Sequence, residues 1–394
     1  MIVPADEEGS GLSNDHLIGS SLICRSWSLR IRYIGSMNLL NILLVMAILT
    51  LGFGPETESG GELHAGASPP KLKVRSVSRI WDTAPHSAFT DLMMVGDRLY
   101  CTFREGAGHV SGNDGRIRVI ARDGDGPWES IALLDEPGVD LRDPKISRMP
   151  DGRLMLNFGG SYYEGSTLLK MESRVSFSNS EGRDFSAPRP VIIDEQVRGE
   201  VDWLWRVTWH DGVGYGVVYQ PREEGSPIQL VRTSDGVKYE LITTMAAGGV
   251  CNETTLRFRR NGDMVALIRR EGDDHTARFG VASPPYETWT FHPLPEPLGG
   301  PDLIEFGRDS WLLAGRRYLP EGARTGLAWI GSDLSYRPLL TLPSGGDTSY
   351  PGLVLNGDTL LVSYYSTHEE KTCIYLADIE IRRGAEVINK EDAR

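Results

Sequence analysis

Six times between Asp91 and Ser366 the chain repeats one pattern: an apolar run, a short polar turn containing glycine, and a second apolar run. The copies are "DLMMVGDRLYCTFREG" from Asp91, "DPKISRMPDGRLMLNFGGS" from Asp143 and "WRVTWHDGVGYGVVYQP" from Trp205. They continue as "ETTLRFRRNGDMVALIRREG" from Glu253, "PDLIEFGRDSWLLAGRRY" from Pro301 and "YPGLVLNGDTLLVSYYS" from Tyr350. Asp-Gly, Asn-Gly and Gly-Arg-Asp turns between apolar runs are hairpin signals. A polar segment ending in an aromatic follows most copies, at Trp128, Phe185, Tyr239, Trp289 and Tyr336, with spacings of 57, 54, 50 and 47 residues. Six sheet-forming repeats with no helical period predict an all-β fold, a six-bladed β-propeller. The segment "KLKVRSVSRIW" from Lys71 is expected to complete the last blade and close the ring. A two-sheet sandwich is the alternative, and it explains six similar hairpins less well.

Composition fits this reading. Forty-five glycines and 23 prolines in 394 residues favour short strands and many turns over long helices. A net charge of -13 argues against nucleic acid as a partner, because phosphate binding needs a basic face. Near the N-terminus, Arg25, Arg30 and Arg32 precede the apolar run from Met37 to Gly54, which has the form of a secretory signal. The expected organisation is therefore a targeting segment over 1–60, a spacer over 61–70, the propeller over 71–383 and a short tail over 384–394. The protein is expected to be secreted or periplasmic and monomeric, with an uncleaved N-terminal anchor as the only route to a membrane. Met37 is an alternative start. Cys24, Cys101, Cys251 and Cys373 show no metal-ligand spacing and allow at most one disulfide once the signal is removed.

Blade geometry then places the chemistry. In a propeller the innermost strand runs down the channel and the hairpin returns the second strand, so first-strand starts, second-strand ends and the loops after them share one face. That face would collect Arg206, Glu253 and Tyr350 from the starts, Arg104, Arg269, Arg270, Arg316, Arg317 and Tyr365 from the ends, and His109, Asp114, His275 and Arg324 from the loops. Arg104 to His109 and Arg270 to His275 both read Arg-Glu-Gly-x-x-His, at equivalent points of the first and fourth blades. They are either pseudo-symmetric contributors to one pocket or a structural rim that both blades share. Several arginines around one funnel suggest a carboxylate or sulfate ligand. Glu253 and Tyr350 would be a base and a nucleophile, and neither is expected to carry core packing.

At these residues the sequence resembles the sialidase (neuraminidase) superfamily. In the strongest aromatic-ending segments, such as "TSDGVKY", a small polar residue, an acidic one, Gly and an aromatic resemble the Asp-box, a structural turn between outer strands of a blade. "NETTLRFRRNGDMVALIRR" is similar to the family segment that carries the catalytic Glu and a triad Arg, which fall on Glu253 and Arg269 with Arg270 adjacent. "TSYPGLVLNGDTLLVSYY" is similar to the segment with the nucleophilic Tyr, which falls on Tyr350. "ARTGLAW" resembles the segment of another triad Arg, which falls on Arg324, with Arg317 as competitor. The first blade departs from the pattern: "AFTDLMM" has no arginine where the family has Phe/Tyr-Arg-Ile-Pro, so Arg104 or Arg206 would have to complete the triad. The family's acid/base Asp falls best on Asp114, with His109 also available.

The resemblance implies an exo-acting glycoside hydrolase that removes a terminal acidic, sialic acid-like sugar from a glycan, without metal or organic cofactor. Two other classes stay open. One is a polysaccharide lyase on uronate-containing glycans, for which His109, His275 and His368 are candidate bases. The other is a non-catalytic glycan-binding propeller.

Overall fold

The computed structural model describes residues 68–110, 115–221, 227–272 and 275–382. The targeting segment 1–60, the spacer up to residue 67, Asp114 and the tail 384–394 lie outside the described residues. Within them the chain is all-β, arranged as six sheets in a six-bladed propeller, antiparallel except where Ile192–Ile193 adds parallel to the outer strand of blade 3. Blade 1 shows the plan, with strands His86–Val95, Arg98–Gly106, Arg116–Asp123 and Glu129–Leu134 in spatial order from the channel outwards. The innermost strands of the other blades begin at Asp140, Trp203, Val250, Gly299 and Thr348. Each of the six sequence hairpins supplies the first two strands of one blade.

Closure follows the sequence expectation. Lys71–Trp81 pairs antiparallel with Cys373–Arg382 and becomes the outer strand of blade 6. Strands from distant parts of the chain thus share one sheet, which ties the two ends of the ring together. This also explains why five aromatic-ending segments accompany six hairpins. Each covers the connection from the third to the fourth strand of its blade, and in blade 6 those two strands are not consecutive in the chain.

Apolar faces pack between neighbouring blades. Ile117, Val119, Leu141, Leu156 and Phe158 join blades 1 and 2, while Leu267, Phe279, Leu303 and Trp311 join blades 4 and 5. Each such buried side chain contributes about 1.5–3 kcal/mol relative to exposure. The three described cysteines, Cys101, Cys251 and Cys373, are buried free thiols, so the fold rests on this packing. Among the described residues no helix is long and apolar enough to cross a membrane.

One backbone device recurs where the innermost strands begin. In five blades the pairing skips: Ala88 faces Arg104 and then Asp91 faces Thr102, with equivalent skips after Arg142, Cys251, Gly299 and Ser349. These are β-bulges, which re-aim side chains. Phe89, Asp143, Gly300 and Tyr350 occupy equivalent bulge positions with φ of 62°, 52°, 55° and 50°. For the three non-glycine residues this left-handed backbone costs of order 1–3 kcal/mol each, and such strain clusters at functional sites. Blade 3 breaks its first strand instead, pairing Trp203–Leu204 and Thr208–His210 separately against Val213–Tyr219.

Candidate functional site

The bulges of blades 4, 5 and 6 build one compact group at the mouth of the channel. Tyr350 Oη donates to Glu253 Oε1 at 2.5 Å. Arg269 Nη1 donates to both oxygens of Glu253, at 2.8 and 2.7 Å, and to Tyr350 Oη at 3.0 Å. Its other terminal nitrogen binds Glu271. The Gly300 amide donates to Glu253 Oε2 at 2.8 Å. A Cβ on Gly300 would lie 2.5 Å from the Tyr350 ring, so only glycine fits at the blade 5 bulge. Tyr350 and Glu253 are 4% and 6% exposed, contrary to the expectation that neither is packed, and Glu253 is the partner that keeps Arg269 satisfied inside the protein.

These contacts set the protonation states. Burial would raise the Glu253 carboxyl, but Arg269, the Tyr350 hydroxyl and the Gly300 amide outweigh it and hold Glu253 below the ordinary glutamate range. Burial and then the Glu253 charge push the Tyr350 phenol well above its ordinary value, against the pull of Arg269 and Arg316. At neutral pH the pair is therefore a carboxylate accepting a hydrogen bond from a neutral phenol. Chemically, such a pair can act as a nucleophile and its base.

A second network adjoins Tyr350. Arg316 lies 5.4 Å over its ring, donating to Thr348 O at 2.8 Å, Tyr365 Oη at 2.9 Å and Asp347 Oδ1 at 3.3 Å. Asp347 Oδ1 also accepts from Tyr365 Oη at 2.8 Å, and Oδ2 lies 2.5 Å from His109 Nδ1 and 3.2 Å from His86 Nε2. Burial works against the Asp347 charge, yet the two imidazoles and Tyr365 drive its carboxyl far below the ordinary aspartate range. His109 stands edge-on to Phe89 at 5.0 Å, and Phe89 to Tyr350 at 5.1 Å. Beneath them Lys145 donates to Thr90 O at 3.1 Å and lies 4.6 Å over the Trp205 ring. Burial pushes its pKa down to about 8.

His86, His109 and Asp347 are also the group whose ligand atoms, all within 4.8 Å of one another, come closest to a metal site among the described residues. Metal-bound imidazoles normally donate their second N–H to an acceptor. The Nδ1 of His86 is buried without one, and hydrogen bonds to Asp347 already account for the cluster.

Other sequence candidates fall elsewhere. Arg104, fully buried, bridges blades 1 and 2 by donating to Asp140 Oδ1 at 2.9 and 2.7 Å and to Gly108 O at 2.7 Å. Arg270 donates to Gly248 O at 2.6 Å and Thr276 O at 3.3 Å. The two repeated segments thus hold their own rims, and Arg269 rather than Arg270 faces Glu253. Arg206 binds Asp91 at 2.8 Å and lines a cavity of about 540 Å³ further down the channel, with residues from the lower halves of the first strands. Arg317 is paired with Glu296 at 2.9 Å, Arg324 donates to Ala323 O at 2.8 Å, and His275 is exposed, 3.0 Å from Gly272 O. Asp114 lies outside the described residues.

Arg142 is the arginine that the sequence reading passed over, and Arg316, which it placed on the shared face, was set behind Arg317 as a binding candidate. Arg316 sits opposite Gly299, on the rung that Arg104 and Arg270 occupy in their blades. That repeat position was the signal that favours it over Arg317.

No protein-family model matches the sequence, and no curated protein matches it either. Solved structures do. A protein of unknown function from Dyadobacter fermentans superposes with a TM-score of 0.69 at 16% identity, over 80% of this chain and 100% of that one. Trypanosoma rangeli sialidase gives 0.59 at 11% identity, over 79% of this chain and 60% of that one. The chain has the sialidase fold. NanB sialidase from Streptococcus pneumoniae, with a TM-score of 0.58 at 9% identity over 79% and 70% of the two chains, shares it as well. At such identities the likeness is one of fold, and the chemistry rests on the side chains of this sialidase-fold protein.

Proposed function

We propose that the protein is a secreted or periplasmic, exo-acting glycoside hydrolase of sialidase type that removes a terminal acidic sugar from glycans. The observation that carries this reading is the Tyr350–Glu253 hydrogen bond, with Arg269 on both partners. A tyrosine nucleophile suits an anomeric carbon that bears a carboxylate, where a carboxylate nucleophile would be repelled. The cations Arg269, Arg316 and Lys145 around Tyr350 favour an anionic sugar.

In the first step Tyr350 Oη bonds to the anomeric carbon, its proton passes to Glu253, and the glycosidic C–O bond breaks. The leaving oxygen takes a proton from the loop after the first hairpin, where Asp114 is the sequence candidate and His109, oriented by Asp347, is the described one. Water then attacks the glycosyl–tyrosine, giving its proton to that same group, and Glu253 returns the proton to Tyr350. Because both reacting residues are buried, the sugar must displace side chains around them as it enters.

The test is product analysis on sialylated and uronate-containing glycans. Hydrolysis releases a free reducing sugar, a lyase gives an unsaturated product absorbing in the ultraviolet, and a binding module gives neither; only the first outcome sustains the proposal. For the proton donor, His109→Ala and Asp114→Asn are compared on alkyl and aryl glycosides. The true donor's variant should lose about a hundredfold or more on the alkyl substrate and far less on an aryl one, whose leaving group needs no proton.

A further inference from the structure

All six blades contribute to the cavity of about 540 Å³ in the lower half of the channel. Its walls are mostly apolar, with Leu92, Ile146, Val207, Ile304 and Leu353 from blades 1, 2, 3, 5 and 6, and Arg257 from blade 4. Leu92, Ile146 and Leu353 are buried, whereas Met94, Trp209 and Leu355, further along the channel, are partly exposed. The cavity therefore opens on the face away from Tyr350. Leu355 lies on the same strand as Tyr350, about 16 Å further down. A concave, mainly apolar space in which a few polar groups converge is the form of a small-molecule site.

The charges at its inner end do not balance. Arg206 Nη1 donates to both oxygens of Asp91 at 2.8 Å, and its Nη2 lies 3.6 Å from Asp302 Oδ2. Arg257 donates to Asp302 Oδ1 at 2.6 Å and otherwise to neutral oxygens, Leu256 O at 2.8 Å and Thr208 Oγ1 at 3.3 Å. Lys145, buried just above, donates to a backbone carbonyl, and Asp91 and Arg206 are the charges that act on it most. Asp143 also faces Lys145, but Arg142 is its stronger cationic neighbour. Three cations thus share two buried carboxylates, Asp91 and Asp302. Buried charges are ordinarily matched, and this group lacks one negative charge. Burial, opposed by Asp302 and reinforced by Arg206, holds Arg257 below the ordinary arginine range. Arg148 adds an exposed cation among the lining residues. An inorganic anion would supply the charge and leave the apolar walls wet, whereas an anion with an apolar body satisfies both.

We propose that the lower channel is a second binding site, for an organic anion whose charged head meets Arg257 and Arg206 and whose apolar body lies along Leu92, Ile146 and Leu353. It stands apart from the sugar chemistry at Tyr350 and does not depend on it. Decanoate is the probe, with decanol as the same body without the charge and acetate as the head without the body. Each is titrated by calorimetry into the full chain and into Arg257→Met and Tyr350→Phe. The wild type should bind decanoate at a single site, at least about tenfold more tightly than decanol or acetate. Arg257→Met should weaken decanoate about 10- to 100-fold, the scale of a lost charge-assisted hydrogen bond, and leave decanol nearly unchanged. Tyr350→Phe should bind decanoate as the wild type does. No saturable binding of decanoate, equal binding of decanoate and decanol, or an affinity that Arg257→Met does not change would overturn the proposal. So would a loss of decanoate binding in Tyr350→Phe, which would put the ligand at the other end of the channel. Should Arg257→Met lose its cooperative melting transition, Leu355→Glu decides. A carboxylate on the partly exposed wall should repel decanoate and weaken it at least about tenfold, and unchanged binding would overturn the site.

Discussion

Tyr350→Phe is expected to lower turnover at least about a hundredfold, the scale of lost nucleophilic assistance, while leaving the melting temperature nearly unchanged. The hydroxyl is the only group removed. The ring keeps its contacts with Phe89, Trp205 and Tyr365. Glu253, whose Oε1 loses the phenol, still accepts from Arg269 on both oxygens and from the Gly300 amide, so no buried charge is stranded. Steady-state kinetics beside thermal unfolding checks both halves. Near-normal turnover would remove Tyr350 from the chemistry, and a large loss of stability would make it a packing residue.

Glu253→Gln should fail differently. Turnover falls by at least a similar factor, but here the fold also suffers, because Arg269 is left inside the protein with Glu271 as its remaining carboxylate. Breaking a buried ion pair by removing one partner costs about 3–5 kcal/mol, and the amide's remaining hydrogen bonds place the expected loss near the lower end. The pH dependence follows from the direction of the shift. The folded state holds the Glu253 carboxyl below its unfolded value, so its contribution is fully present above the unfolded pKa of about 4.3 and fades as pH falls through the folded one. The stability of Glu253→Gln should therefore change less than that of the wild type on acidification below that value. Denaturant melts at pH 7 and in acid give both numbers. An unchanged midpoint at pH 7 would mean that the pair adds nothing to the fold.

The propeller was legible in the sequence because each blade writes its first two strands as one glycine-punctuated hairpin. The closing strand was legible as well, since Lys71 to Trp81 is an apolar-alternating run with no hairpin partner of its own. The meeting of candidate side chains was legible where each opens a hairpin, as Glu253 and Tyr350 do. It was not legible where adjacent arginines compete. Arg316 and Arg317 look equivalent in sequence, and alternation sends one to Tyr365 and the other to Glu296. The bulges hid more. An extra residue at the head of a strand leaves the hydrophobic pattern intact, so nothing in "DLRDPK" shows that Asp143 turns into left-handed backbone while Arg142 lies between two aromatic rings. The twin Arg-Glu-Gly-x-x-His segments were a true repeat of structure, and of the two readings the sequence left open the rim is the one their first arginines follow.

The central claim is a covalent bond between Tyr350 and the anomeric carbon, and trapping it is the most direct test. A 3-fluorinated sialosyl fluoride slows breakdown of a glycosyl–enzyme more than its formation, so the protein incubated with it is digested and its peptides weighed. The account predicts one added sugar, on the peptide that contains Tyr350, and none in Tyr350→Phe. Steady turnover of a sialoside with no label on that peptide, or a label on another residue, would contradict it.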